Sequence, residues 1–175
     1  MPTATASFSR DANRVPITQL GLVVSRPTTF TTDGTVVIPL FRLTGTVMVN
    51  ALWGVVTTVL GSNHTAASWR LNDQTAQIYL TAVGGTTLSN DAVGSIILKD
   101  KLVAQAVTEL DNATGLVSET ATAGIPVFSP VVIVKKTAAT TDIEYRYITN
   151  NTSLGAITFY CGFTPLSEDG NLAVI

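Results

Sequence analysis

One histidine, one cysteine and a thin scatter of acids are what this 175-residue chain offers for chemistry. Nucleophilic catalysis of the Ser-His-Asp or Cys-His kind needs a base that can sit beside the nucleophile. The only candidate base is His64, in Gly61-Ser62-Asn63-His64-Thr65, between two strand-like segments. That setting predicts a loop histidine in solvent. Cys161 falls on the apolar phase of an alternating segment, which predicts a small buried thiol and not a reactive one. Zinc favours His and Cys clusters, and one of each, far apart in the chain, cannot supply three or four ligands. Asp111-Asn112 and Glu168-Asp169 are too sparse for a looped calcium motif. Asp142 and Glu144 share a strand face, as a glycosidase pair could, but Arg146 on the same face makes a solvated polar surface the simpler reading. Gly84-Gly85, followed by Thr86-Thr87, lacks the lysine and spacing of a phosphate loop and predicts a turn. The expectation is therefore no enzyme, no metal and no cofactor.

Aromatic side chains could instead form a binding platform. Trp53 and Trp69 both lie on what alternation marks as the apolar phase of their strands, which predicts core packing. Tyr79 and Tyr160 fall on the opposite phase and Phe30 lies near the N-terminus, where they could meet a partner protein, since tyrosine is enriched at interface centres.

Composition narrows the partners. Only 13 % of residues are charged against 46 % hydrophobic, where about 25 % charged is ordinary for a soluble domain. Few charges with much apolar surface suggest a chain partly covered by neighbours. Net charge is −2, with the basic residues dispersed, which argues against nucleic acid, because phosphate binding needs clustered Lys and Arg. Mean hydropathy is positive, yet the longest apolar stretch, Val47 to Leu60, is broken by Asn50, Gly54, Thr57 and Thr58, so no spanning helix is expected and no membrane partner. The opening residues Met1 to Ser7 lack a basic n-region and an apolar h-region, which predicts synthesis in a host cytoplasm without secretion.

The elements that must position these residues read as strands. Threonine, about one residue in six, is β-branched and fits a pleated, half-buried surface. Residues 1–34 carry Pro2, Pro16 and Pro27 with little periodicity and are read as an extended arm. Within it Leu20 to Val24 could form a short strand, paired either outside the arm or as an ordinary N-terminal edge strand of the main domain. Residues 35–175 are read as one β-sandwich domain with a short C-terminal tail. Val36 to Phe41 is its first strand, with Pro39 at an edge or bulge. From Thr46 to Val55, alternation puts Val47, Val49, Ala51, Trp53 and Val55 on one face and Thr46, Met48, Asn50, Leu52 and Gly54 on the other, less uniformly polar face. Ala67, Trp69 and Leu71 form a third inward set, and Ala76, Ile78, Leu80 and Ala82 a fourth. Near the C-terminus, Val131 to Lys135, then Ile143, Tyr145 and Tyr147, then Ile157, Phe159, Cys161 and Phe163 look like a three-strand meander. Lys101 to Leu110 carries apolar residues at helical spacing and predicts one short helix.

Three stretches carry a resemblance. Arg10-Asp11-Ala12-Asn13-Arg14-Val15-Pro16 with Gly21-Leu22-Val23, then Leu43 to Thr58, then Gly155 to Tyr160 running into Thr164-Pro165-Leu166-Ser167, are similar in order and spacing to small virion structural proteins of tailed phages. Some proteins of this kind decorate the head, and the resemblance is taken to the capsid decoration (cement) type. The resemblance implies an antiparallel, jelly-roll-like β-sandwich that assembles as a homotrimer on the capsid surface of the virion and reinforces the major capsid protein lattice. It has no catalytic site to transfer. What carries over is the arm, whose partner-binding residues would be Arg10, Asn13, Arg14, Val15, Ile17, Leu20, Leu22, Val23 and Phe30. An arm of this kind adds main-chain hydrogen bonds to a neighbour's sheet edge and anchors with small apolar side chains. The alternative on the same resemblance is a head-fibre or tail receptor-binding module.

Overall fold

The computed structural model describes residues 21–83, 87–99, 108–110, 130–136, 139–149 and 155–175. Its strands are β1 (Leu22–Thr29), β2 (Gly34–Thr44), β3 (Thr46–Thr58), β4 (Thr65–Asn72), β5 (Gln77–Tyr79), β6 (Ile96–Leu98), β7 (Thr108–Leu110), β8 (Val131–Val134), β9 (Thr141–Thr149), β10 (Ala156–Pro165) and β11 (Asn171–Val174). Every pairing is antiparallel. Sheet A runs β1-β10-β3-β6-β7, with β8 also on β3, and sheet B runs β11-β2-β9-β4-β5. β3 is long enough to hold two short strands in succession along one edge: β8 pairs with Thr46 to Val49 and β6 with Trp53 to Val55.

The chain crosses from sheet to sheet at seven of the ten connections between these strands, and β1 lies beside β10. That is a jelly-roll-like sandwich. The β2 to β3 crossing takes a single residue, Gly45, at φ +55°. A Cβ there would lie 2.3 Å from Asp169 Oδ1, so the crossing needs glycine for both its torsion and its space. The crossings also overturn the expected meander. β8 lies in sheet A, β9 in sheet B and β10 in sheet A again. The apolar alternation of these strands is the same in either topology, because it reports one buried face and not which neighbour the strand pairs with.

Sandwiched between the sheets is one cluster that takes Phe41, Leu43, Trp69, Ile143, Tyr145 and Tyr147 from sheet B and Val47, Val49, Leu52, Val56, Ile157, Phe159 and Phe163 from sheet A. Alternation places the inward sets of β4, β9 and β10 correctly: Ala67 and Trp69, then Ile143, Tyr145 and Tyr147, then Ile157, Phe159, Cys161 and Phe163 are all buried. Ile78 departs from its expected inward set and is 54 % exposed, because β5 is the short edge strand of sheet B. Pro39 abuts a register shift against β9, as its missing N–H requires.

β3 is where strict alternation fails. Gly162 of β10 pairs with Ala51 and Phe163 with Val49, so Asn50 is the extra residue of a bulge. Two residues then oppose one, and every later side chain changes face. Val47 and Val49 point inward before the bulge, while Leu52, Gly54 and Val56 do so after it. Trp53 and Val55 are thereby turned outward.

Two further expectations are corrected. Residues 22–34, assigned to the arm, belong to the folded domain: β1 pairs with β10 over its whole length, and Phe30 is buried in the core cluster. The Lys101 to Leu110 helix does not extend to its end, since Thr108–Leu110 pairs as β7 with β6. Apolar residues at short spacing suit either structure, and pairing with Ile96–Leu98 decides it. Residues 100–107, and the arm residues 1–20, lie outside the described residues.

Candidate functional site

His64 sits in the turn that opens β4, yet it is only 3 % exposed. This corrects the expected solvent-exposed histidine. Phe30 closes over it at 4.9 Å between ring centroids, and Tyr147 stacks on it at 4.4 Å and 6°. Its Nε2 shares a hydrogen bond of 2.9 Å with Tyr145 Oη. Burial holds the imidazole down at about 4, so it is neutral at physiological pH. Burial, with smaller contributions from Tyr147 and Asp91, pushes the Tyr145 phenol well above its usual range. Burial likewise raises the Cys161 thiol to about 12, which leaves it protonated and inert. His64 is thus engaged by two tyrosines in the core and acts as a packing group. Among the described residues, no three His, Cys, Asp or Glu side chains gather as a metal site.

Asp142, Glu144 and Arg146 do share the outer face of β9, but two of them are closed into ion pairs. Arg42 meets Asp142 through Nε at 2.9 Å and Nη2 at 3.0 Å. Arg70 Nε meets Glu144 Oε2 at 2.6 Å, with both side chains under 10 % exposed, and Asn72 Nδ2 donates to Glu144 Oε1. These acids are therefore less solvated than the sequence suggests, because long arginine side chains lie across them. Arg146, between Val37 and Ser68 in the register, keeps an Nη1 with no hydrogen-bond partner. A recess beside Gly45 brings Lys135, Lys136, Ser167 and Asp169 together, but its polar groups are occupied: Ser167 Oγ donates to Asp169 and accepts from the Thr46 amide, and Lys136 pairs with Asp73.

The outer face of sheet A has the opposite character. β10 turns Thr158 and Tyr160 outward, and β1 presents Val23, Ser25, Pro27 and Thr29 beside them. β3 adds Met48 before its bulge and Trp53 and Val55 after it, with Ile96 of β6 opposite Val55. β8 adds Val132 and Val134, 56 % and 65 % exposed, next to Met48 and Thr46. The outward positions of β1, β3, β6, β8 and β10 include no Asp, Glu, Lys or Arg. At its centre the half-buried Trp53 and Tyr160, directly opposite each other in the register, stack at 5.1 Å and 8°. Tyr160 thus lies on the outward phase of β10, half-buried. Trp53 was expected in the core, and the Asn50 bulge brings it out. The charge in β1 points the other way: Arg26 falls on the inward phase, where burial depresses its pKa. An inward charge on an edge strand discourages further strand pairing.

Of the expected arm residues, Leu22 and Val23 are exposed, at 43 % and 48 %, at the start of β1. Phe30 is withdrawn into the core around His64. Arg10, Asn13, Arg14, Val15, Ile17 and Leu20 lie outside the described residues.

Fold and surface together define a class: an all-β antiparallel sandwich with one ion-paired outer face and one uncharged, aromatic-centred outer face. No family model, curated protein or solved structure matches the chain.

Proposed function

We propose that this chain is a non-enzymatic structural protein that works by associating with neighbouring protein subunits, as a decoration protein on the head of a tailed phage. The observation that carries the association reading is the uncharged outer face of sheet A. Sheets exposed to water on one face ordinarily alternate apolar with polar or charged residues, and an exposed apolar patch with a polar rim marks a protein-binding surface. The jelly-roll-like architecture does not choose between functions, since virion, lectin and enzyme domains share it. The engagement of His64 by Tyr145 and Tyr147, and the raised pKa of Cys161, favour a structural role over a catalytic one.

The phage assignment rests on the resemblance of the three sequence stretches. In that reading residues 1–20, which lead into the sheet A edge strand β1, attach the sandwich to the major capsid protein. Repetition across a lattice converts modest single contacts into high avidity. Imaging of particles that carry the protein tests it. A regular array of copies over the head supports decoration, and copies confined to the tail tip refute it in favour of a receptor-binding module. Removing residues 1–20 should leave the sandwich folded and abolish attachment. The cut must stop there, because Leu22 already pairs with Phe163.

A further inference from the structure

Which partner meets the uncharged face is a separate matter, and the inference here rests on the association reading above. We infer that the outer face of sheet A packs against the same face of a second copy of this chain, about a two-fold axis.

The two outer faces of the sandwich decide the pairing. A second copy can offer its sheet B face or its sheet A face. The sheet B face carries the Arg42–Asp142 and Arg70–Glu144 ion pairs and the Arg146 guanidinium with an unpartnered Nη1. Covering it with the apolar face would strip water from the Arg42 guanidinium, 46 % exposed in its pair with Asp142, and offer that charge no new acceptor, a desolvation that apolar contacts do not repay. Two sheet B faces would strip water from the Arg42 guanidinium of both copies. Sheet A on sheet A buries no charge from the outward positions of β1, β3, β6, β8 or β10.

Size and shape agree. β1, β10, β3 and the row shared by β6 and β8 form four ladder positions, roughly 19 Å across at about 4.8 Å per strand. β10 is 10 residues long, or roughly 33 Å at about 3.3 Å per residue. The flat footprint is roughly 600 Å², and side-chain relief brings it towards the roughly 800 Å² per partner of a standard interface. The stacked Trp53–Tyr160 pair lies near the middle, where aromatic anchors contribute most to binding. Val23 lies on the β1 side and Val132 and Val134 on the β8 side. Sheets packed face to face sit about 10 Å apart with interdigitated side chains. Two copies would therefore stack as four layers with both ion-paired faces turned to water. A two-fold contact is self-complementary and closed, whereas the trimer implied by the resemblance needs a heterologous contact between different patches.

Sedimentation of the full-length chain over a concentration series tests this, with Trp53→Lys and Val134→Lys as variants. The expected result is a dimer, or an even-numbered assembly built from dimers, that each variant weakens by about ten-fold or more, as loss of an interface anchor does. Circular dichroism should show the wild-type fold in both. Val134, at 65 % exposure, keeps the test open should Trp53→Lys disturb the sheet. A wild-type chain that is monomeric at about 100 µM, far above useful affinities, overturns the inference. So does a trimer, or a dimer that both folded variants leave at full strength. A monomer that still attaches to particles would refute self-pairing alone, and a dimer that fails to attach would refute the decoration reading alone.

Discussion

His64 makes the stability of this sandwich depend on pH in a window above that of Asp73. Its folded pKa is about 4, against 6.5 for an ordinary histidine. Between those values the unfolded chain binds a proton that the folded chain refuses, so stability rises with pH. The contribution is complete above about 6.5, declines as pH falls, and levels off below about 4, where both states are protonated. A separation of about 2.5 units corresponds to roughly 3 kcal/mol in all, of which about 2.5 kcal/mol is lost by pH 4.5. Asp73 acts lower on the scale. Amide hydrogen bonds from Thr75 and Ala76 hold its carboxyl well below the usual range, so its stabilisation fades only as pH drops under about 4. Because His64 is the only histidine, one imidazole resonance followed by NMR gives its native pKa directly. Urea unfolding at pH 7 and 4.5 gives the stability difference. His64→Phe, which keeps a ring against Tyr147, should flatten the profile between pH 6.5 and 4. A native pKa near 6.5, or an unchanged slope in His64→Phe, would refute the buried-histidine reasoning.

Truncating Phe30 to alanine should destabilise the domain by about 3–5 kcal/mol, as for any buried phenylalanine, whereas Leu22→Ala at the exposed start of β1 should change it by under about 1 kcal/mol; chemical denaturation separates the two. Glu144→Ala strands Arg70, whose side chain is 9 % exposed, and should cost about 3–5 kcal/mol by the same measurement. Gly45→Val places a β-branched residue at φ +55°, with its Cβ against Asp169 and Ser167, and should lower Tm in a thermal melt. Removing residues 1–20 should leave the circular dichroism spectrum of the sandwich intact.

Much of the architecture is legible because a half-buried strand writes its own pattern. β9 and β10 alternate without interruption, and every residue read as inward there is buried. The class follows from these runs, from abundant threonine and from turn residues at short intervals. Pro39 is legible for a local reason too, since a residue without an N–H must sit where a ladder bond is not needed. What alternation cannot report is an inserted residue. Nothing in Val47 to Val56 marks Asn50 as a bulge; only the opposing register of Gly162 and Phe163 does. Hence strict alternation reads Trp53 and Val55 into the core, and the surface that best explains association does not emerge as one face of the strand.

Phe30 and His64 failed for another reason. Each is a single apolar or weakly polar residue among threonines, serines and asparagines, with no periodicity to place it. Their burial depends on β9 delivering Tyr145 and Tyr147 beneath a turn more than eighty residues earlier in the chain, a long-range contact that leaves no local trace. The same holds for the order of strands, where β8, β9 and β10 read as consecutive neighbours but belong to alternating sheets. By itself the sequence determined the strands, their buried faces, the scarcity of charge and the poverty of catalytic groups, because these are set by residue type and by the two-residue period of an extended chain. Only the tertiary structure decided that Arg42, Arg70, Asp142, Glu144 and Arg146 gather on the outer face of sheet B while the outward positions of β1, β3, β6, β8 and β10 carry no charge, because which strand lies beside which, and where a register slips by one, is settled by contacts between segments far apart.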